Sequence, residues 1–179
     1  MPLFVFKVII IGAGAVGKTS LLQRFMEDTF NFKYKLTIGA DFLAKVIEGY
    51  PNPDTTCKLQ IWDIGGQERY KFLRSSFFDG ANGALVVFDI SRWHTFEELE
   101  DWLSDLREFA GYNVPFILIG NKSDLIKDVY GEFDRETVEK FAESENSYFV
   151  ETSAKTGENV EQAFLDLTQK IIEKIESET

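Results

Sequence analysis

The stretch Gly12-Ala13-Gly14-Ala15-Val16-Gly17-Lys18-Thr19 decides how this chain is read. Just before it, Leu3-Phe4-Val5-Phe6-Lys7-Val8-Ile9-Ile10-Ile11 is β-branched, aromatic and almost unbroken, the pattern of a strand buried on both faces. Just after it, Ser20-Leu21-Leu22-Gln23-Arg24-Phe25-Met26 spaces its apolar side chains as a helix does. A strand, then G-x-x-x-x-G-K-[ST], then a helix is the context in which this pattern cradles phosphate. The glycines let the backbone curl so that successive N–H groups converge on an anion. The helix start adds a partial positive charge, Lys18 a full one, and the Thr19 hydroxyl is suited to ligating magnesium. A glycine-rich turn with an adventitious lysine is the rival reading, and the flanking strand and helix weigh against it. The stretch predicts a nucleoside-triphosphate site.

Outward from this loop, the helix is expected to run to about Asp28. Thr29 to Gly39 interleaves aromatics and lysines without periodicity and reads as a loop. Asp41–Glu48 and Lys58–Asp63 predict an antiparallel hairpin around the turn residues Gly49–Asp54. A polar helical stretch follows Gly65-Gly66 to about Phe78. Gly83–Asp89 and Val114–Gly120 are buried strands by their apolar runs, and Tyr148–Glu151 is a shorter one. Trp93 and His94 read as loop residues. Behind them a capping box of Thr95 and Glu98 opens a helix whose face is Phe96, Leu99, Trp102, Leu103 and Leu106. Asp134 caps a helix carrying Val138, Phe141 and Ala142. Asn159 with Gln162 caps the last, with Val160, Ala163, Phe164, Leu167 and Ile171 on its face.

This alternation predicts one α/β domain over residues 1–179, a mostly parallel six-stranded sheet with one antiparallel edge strand and helices on both faces. Ligands of such sheets bind beyond the carboxyl ends of the strands. That rule gathers the phosphate loop, Asp63, Asn121-Lys122-Ser123-Asp124 and Ser153-Ala154-Lys155 at one rim. With 44% hydrophobic residues and 17 Phe in 179, the chain can build a substantial core and is not disordered. No apolar stretch reaches transmembrane length, and the single cysteine, Cys57, excludes an intramolecular disulfide. A net charge of -11 argues against nucleic acid or an anionic membrane as partner through a broad basic face. A polyphosphate must therefore be held by local positive groups and a divalent cation.

Asp63 ends an apolar strand, with Gly66 at the third position after it. A carboxylate there can hold magnesium while the glycine N–H approaches the terminal phosphate. Gln67 follows, and an amide that both donates and accepts suits positioning a water rather than deprotonating it. Asn121-Lys122-x-Asp124 after a buried strand reads the base. Guanine offers N1–H and an exocyclic amino group on one edge, which one carboxylate can accept together, whereas adenine would leave Asp124 unpaired. Lys122 can lay its aliphatic stem on the base plane, and Ser153-Ala154-Lys155 offers an N–H for the guanine oxygen and a second stem.

With these motifs in order, the chain resembles a Ras-superfamily small GTPase, and within it the Rab family, from Lys7 to about Ile172. The matching residues are GAGAVGKT (Gly12–Thr19), Thr37, WDIGGQE (Trp62–Glu68), NKSD (Asn121–Asp124) and TSAK (Thr152–Lys155). Rab-like features are IGADF (Ile38–Phe42), LQIWD (Leu59–Asp63), FFDGA (Phe77–Ala81) and VVFDIS (Val86–Ser91). The resemblance implies a switch that binds GTP or GDP with Mg2+, hydrolyses GTP slowly and acts in membrane traffic or a related process. It implies two switch loops, with Thr37 ligating the metal in the first and Gln67 in the second. Catalysis would rest on Gln67, Lys18 and Thr37, and the metal on Thr19, Thr37 and Asp63. Ser20 would join the nucleotide contacts, Phe30 would pack against the guanine, and Tyr34 would lie over the phosphates. Phe42, Trp62 and Phe77 match a triad read by effectors, although ordinary packing between hairpin and helix also accounts for them. A GTPase-activating protein, an exchange factor and effectors are the expected partners of a monomer.

The chain departs from the family in four places. Ile64-Gly65 replaces Thr-Ala before the switch glycine and is expected to add backbone freedom beside the catalytic loop, Asp79 replaces arginine, and the turn Gly49–Thr56 is longer, with no function assigned to it. The end Glu173–Thr179 carries no cysteine, so the usual lipid anchor is not expected on this chain. Its expected place is cytoplasmic, or peripheral to membranes if a tail has been removed. A non-hydrolysing GTP-binding scaffold would dispense with Gln67 or Thr37. A P-loop kinase or ATPase would have an acceptor site and lid arginines in place of the NKSD element.

Overall fold

A computed structural model describes residues 3–129, 131 and 133–179. The chain begins with β1 (Leu3–Ile11), α1 (Lys18–Glu27), β2 (Ala40–Glu48) and β3 (Thr56–Ile64). A 3-10 segment over Glu68–Leu73 leads into α2 (Arg74–Phe78), then β4 (Gly83–Asp89), α3 (His94–Glu97) and α4 (Leu99–Phe109). The last part holds β5 (Phe116–Asn121), α5 (Arg135–Ser144), β6 (Phe149–Thr152) and α6 (Val160–Ser177). Among the described residues the sheet has six strands in the order β2-β3-β1-β4-β5-β6, and only the β2–β3 pairing is antiparallel.

The apolar runs form the middle of this sheet because both of its faces are covered there. Val8, Ile9, Ile10 and Ile11 are fully buried, as are Val86, Val87 and Phe88 on β4. One face packs Val8 and Ile10 against Leu21 and Phe25 of α1 and Phe164 and Leu167 of α6, with Phe25 stacked on Phe164 at 3.9 Å. The other packs Ile9, Ile11 and Phe88 against Leu99, Trp102, Leu103 and Leu106 of α4 and Val138 of α5. Each such side chain contributes about 1.5–3 kcal/mol by leaving water. The longer β2–β3 turn is closed by Gly49 N–H donating to the Thr55 carbonyl at 2.8 Å, and the Tyr50 hydroxyl donates to Gln169 of α6 at 3.2 Å.

Two expected helix caps are built differently, for one physical reason: the side chain has a better partner on the sheet. Thr95 is fully buried, accepts the Asp89 N–H at 2.9 Å and donates to the Arg92 carbonyl at 2.7 Å. It therefore braces the β4–α3 turn from inside, and the helix begins one residue earlier, at His94. Asn159 donates to the Glu151 carbonyl at 2.8 Å, while Gln162 turns to Asp166. Asp134 does cap its helix, accepting the Thr137 N–H at 3.2 Å. The stretch to Phe78 is helical as expected, but it is 3-10 until Arg74 and α-helical only beyond it.

Candidate functional site

The carboxyl ends of β1, β3, β4 and β5 meet where the phosphate loop crosses from β1 to α1. Gly12 adopts φ +143, and a Cβ there would strike the Val87 carbonyl on β4. Gly17 adopts φ +98, and its Cβ would fall on the Asn121 amide. Glycine at these two places lets the loop lie flat on the sheet rim. The Lys18 ammonium, 6% exposed, donates to the carbonyls of Gly12 at 2.8 Å and Ala13 at 2.7 Å. Burial is the main reason its pKa falls to about 8; Asp63 opposes the fall, and Arg74 and Arg92 add to it.

Behind Lys18, three oxygen-bearing side chains from three segments converge. The Thr19 hydroxyl donates to Asp63 Oδ2, and Thr37 Oγ1 lies 2.9 Å from Thr19 Oγ1 and 3.4 Å from the same carboxylate oxygen. Asp63 is 1% exposed and its Oδ1 has no hydrogen-bond partner. Burial raises its pKa even though Thr19, Lys18 and Thr37 pull the other way. A hard divalent cation fits this donor set, because it would satisfy the orphaned oxygen and offset the cost of the buried charge. Among the described residues no cluster of three His, Cys, Asp or Glu side chains could hold a metal alone. The set suits an ion that takes its remaining ligands from phosphate and water, as magnesium does.

On the other side of the loop, Asn121 joins three segments. Its Nδ2 donates to the Val16 carbonyl at 2.9 Å, and its Oδ1 accepts from Thr152 Oγ1 at 3.0 Å and Ala154 N–H at 3.3 Å. Lys122 has φ +67, and its ammonium reaches the Ala15 carbonyl at 3.0 Å. Asp124 Oδ1 accepts from Ser153 Oγ at 2.7 Å, which fixes the plane of its carboxylate.

The segments expected to switch lie over the phosphate loop. A Cβ on Gly66 would come within 2.5 Å of Ala13 C and Gly14 N, so only glycine allows this approach. Gly65 is equally confined: its Cβ would lie 2.8 Å from the Thr37 carbonyl, and its N–H donates to the Gly39 carbonyl at 2.7 Å. The expectation that Gly65 adds backbone freedom is thus corrected to close contact between the two loops. Gln67 lies near Gly14, its Cγ about 4.0 Å from where a Gly14 Cβ would stand. Phe42, Trp62 and Phe77 form a row with ring centroids 5.0 and 5.8 Å apart, and Phe42 is 45% exposed.

These parts surround a cavity of about 400 Å³. Of the residues predicted for the site, Gly14, Ala15, Gly17, Lys18, Thr19, Ser20, Phe30, Tyr34, Thr37, Gly66, Gln67, Asn121, Lys122, Asp124, Ala154 and Lys155 line it. Gly12, Ala13, Val16, Asp63 and Ser153 stand outside its lining and act through their neighbours, as described above. The lining also includes Gln23, Asn31, Phe32, Lys33, Lys35, Leu36 and Leu125. Five of these seven belong to the 29–39 loop, where interleaved aromatics and lysines were the available signal. Phe32 meets Phe30 edge to face at 4.9 Å. Arg24, which no motif marks, donates to the carbonyls of Ala154 at 2.9 Å and Lys155 at 2.7 Å and so ties α1 to the base-side loop.

The Ras family model matches residues 7–173. Ras-related protein RABA6b of Arabidopsis thaliana is 45% identical over 177 residues, covering 94% of this chain and 75% of the relative. Ras-related protein Rab-1A of Dictyostelium discoideum is 44% identical over 168 residues, with 94% and 81% covered. GTP-binding protein ypt1 of Schizosaccharomyces pombe is 40% identical over 176 residues, with 98% and 84% covered.

Proposed function

The chain belongs to the Ras family, as a Rab-type small GTPase, and from that premise we propose that the cavity at the sheet rim holds GTP or GDP with Mg2+. The protein binds guanine nucleotide, hydrolyses GTP and acts as a nucleotide-dependent switch in membrane trafficking. The observation that carries the site reading is the convergence of three loops on one cavity: an anion cradle with a buried lysine, an oxygen cluster with an orphaned carboxylate, and an anchored carboxylate for a base.

In this reading the N–H groups of residues 14–19 and the Lys18 ammonium bind the phosphates. Thr19, Thr37 and Asp63 would hold Mg2+, which would supply positive charge to offset that of the phosphates. Gln67 donates to and accepts from the attacking water and keeps it in line with the terminal phosphate. Asp124 accepts N1–H and the amino group of guanine, the stems of Lys122 and Lys155 flank the ring, and Phe30 closes its edge. Thr37 and Gly66 sense the terminal phosphate, and the Gly65–Gly39 hydrogen bond makes the two loops respond together. Arg24, Arg74 and Arg92 are each engaged with acceptors of the protein itself. A GTPase-activating protein would supply the arginine that completes the transition-state site.

Phe42, Trp62 and Phe77 offer effectors an aromatic row beside the switch loops. The domain acts as one unit and as a monomer. No helix among the described residues is long and apolar enough to cross a membrane, and a cytoplasmic or membrane-peripheral place fits a trafficking switch. Replacing Gln67 tests the reading: Gln67→Leu should slow single-turnover GTP hydrolysis at least about tenfold, with GTP affinity within about threefold. Hydrolysis at the unaltered rate would remove Gln67 from the reaction.

A further inference from the structure

Asp89, at the carboxyl end of β4, is fully buried and has no role in the site as assigned so far. Its Oδ1 accepts from the Ser91 N–H at 2.9 Å and the Ser91 hydroxyl at 2.6 Å. Its Oδ2 accepts from Arg92 Nε at 3.0 Å and from the Lys122 ammonium at 2.6 Å. Both cations continue to the phosphate loop. Arg92 Nη2 donates to the Gly14 carbonyl at 3.0 Å, and Lys122 Nζ to the Ala15 carbonyl at 3.0 Å.

A trans peptide is planar, so the C=O of one residue and the N–H of the next point in opposite directions. Holding the Gly14 carbonyl outward turns the Ala15 N–H inward, and holding the Ala15 carbonyl outward does the same for the Val16 N–H. We propose that Asp89 and Arg92 are positioning residues for nucleotide phosphate: one buried carboxylate holds two cations, and these aim the amides of Ala15 and Val16 into the cavity. Ala15 sits at φ +61, a conformation that a residue with a Cβ adopts reluctantly, so the turn needs such support. The same carboxylate ties the phosphate loop to the base-reading loop through Lys122. The proposal rests on the cavity being the guanine-nucleotide site.

The test is spontaneous release of fluorescent GDP from the Mg2+-loaded protein. Arg92→Ala should release GDP about 10- to 100-fold faster, because a charged donor to a loop carbonyl is lost. Asp89→Asn should do at least as much, since both cations lose their anchor. Arg92 is one-third exposed, so its variants carry the test even if Asp89→Asn does not fold. Arg92→Lys should resemble Arg92→Ala, because an ammonium restores the charge but not the two-ended fork. Competition with GMP gives a readout that general loosening would not move. GMP has no second phosphate for the loop to hold, so its affinity in Arg92→Ala should change less than about threefold while that of GDP falls at least about tenfold. Release of GDP within twofold of the unaltered rate, or equal losses for GMP and GDP, would overturn the positioning role. An unaltered protein that does not retain GDP would instead overturn the assignment of the cavity, and the proposal with it.

Discussion

Arg74 and Asp105 form an ion pair of 2.5 Å that fastens α2 to α4 inside the protein. The guanidinium is 3% exposed, lies 3.6 Å from the centre of the Trp102 ring, and leaves its Nε without a partner. A second contact, to Glu68 at 3.7 Å, is largely exposed and adds little. The pair marks where the 3-10 segment over Glu68–Leu73 ends and regular helix begins.

Arg74→Ala should therefore destabilise the GDP-loaded protein by about 3–5 kcal/mol, because Asp105 is left charged and buried without its partner. Urea unfolding measures this. The double change Arg74→Met with Asp105→Leu should recover most of the loss. If the double variant is no more stable than Arg74→Ala, the ion pair is not what holds the helices together.

Gly66 yields a second prediction, from crowding alone. A methyl group there would overlap the backbone of Ala13 and Gly14, and that backbone is pinned by Lys18 and Arg92. The 65–67 segment must then withdraw from the phosphate loop and take Gln67 with it. Gly66→Ala should lower single-turnover GTP hydrolysis at least about tenfold, with GDP release changed much less. Hydrolysis and release altered by the same factor would show that the whole cavity had been disturbed instead.

In the proposed site, base selection would rest on the carboxylate of Asp124. Ser153 holds Asp124 through Oδ1, and a carboxylate offers further lone pairs for the two donors of guanine. Asp124→Asn exchanges an acceptor for a donor, which mismatches guanine but matches the extra carbonyl oxygen of xanthine. Affinity for GTP should fall by about 2–4 kcal/mol, roughly 30- to 1,000-fold, while XTP gains. Competition among GTP, XTP and ATP on the variant decides it, and a variant that still prefers GTP by a wide margin would return Asp124 to the surface.

How much of this was legible in the sequence follows from the range of the forces involved. Buried strands announced themselves because Val8–Ile11 and Gly83–Asp89 must be apolar on both faces, whatever they pack against. The phosphate loop was legible because its chemistry is local: eight consecutive residues supply the turn, the amides, the ammonium and the hydroxyl. Thr95 and Asn159 do not cap with their side chains because a hydroxyl or amide near a helix start has two possible uses, and only the folded turn brings the end of the preceding strand within reach of it. Arg24, Asp89 and Arg92 carry no motif that marks them in the sequence. Arg24 and Arg92 act by donating to backbone carbonyls, which every residue has, and Asp89 acts only through the cations it holds. Gly65 was read for flexibility because glycine permits both freedom and close approach, and only the position of the Thr37 carbonyl distinguishes them.

Lys18 gives the last prediction, in its pH dependence. In the open cavity its pKa lies at about 8 against an ordinary value of 10.5, with burial as the main cause. Bound polyphosphate raises it again, because anionic oxygens favour the charged ammonium. Below pH 7 the lysine is charged in both states, and affinity for GDP is independent of this group. Above about pH 8 the free protein has lost a proton that the complex keeps, so binding takes one up. Affinity should then fall by up to about tenfold per pH unit, until the pKa of the complex is reached. The same shift acts on the nucleotide-free fold with the opposite sign. There the folded pKa is depressed below the unfolded one, so the cost of burying the charge is complete below about pH 8 and fades as pH rises towards 10.5. Stability without nucleotide should rise across that window while GDP affinity falls. Titrating GDP between pH 7 and 9.5, alongside thermal unfolding of the stripped protein, measures both slopes at once. In Lys18→Arg the guanidinium stays charged throughout, so both slopes should flatten although affinity is lower. Parallel slopes in Lys18→Arg and the unaltered protein would assign the pH dependence to another group.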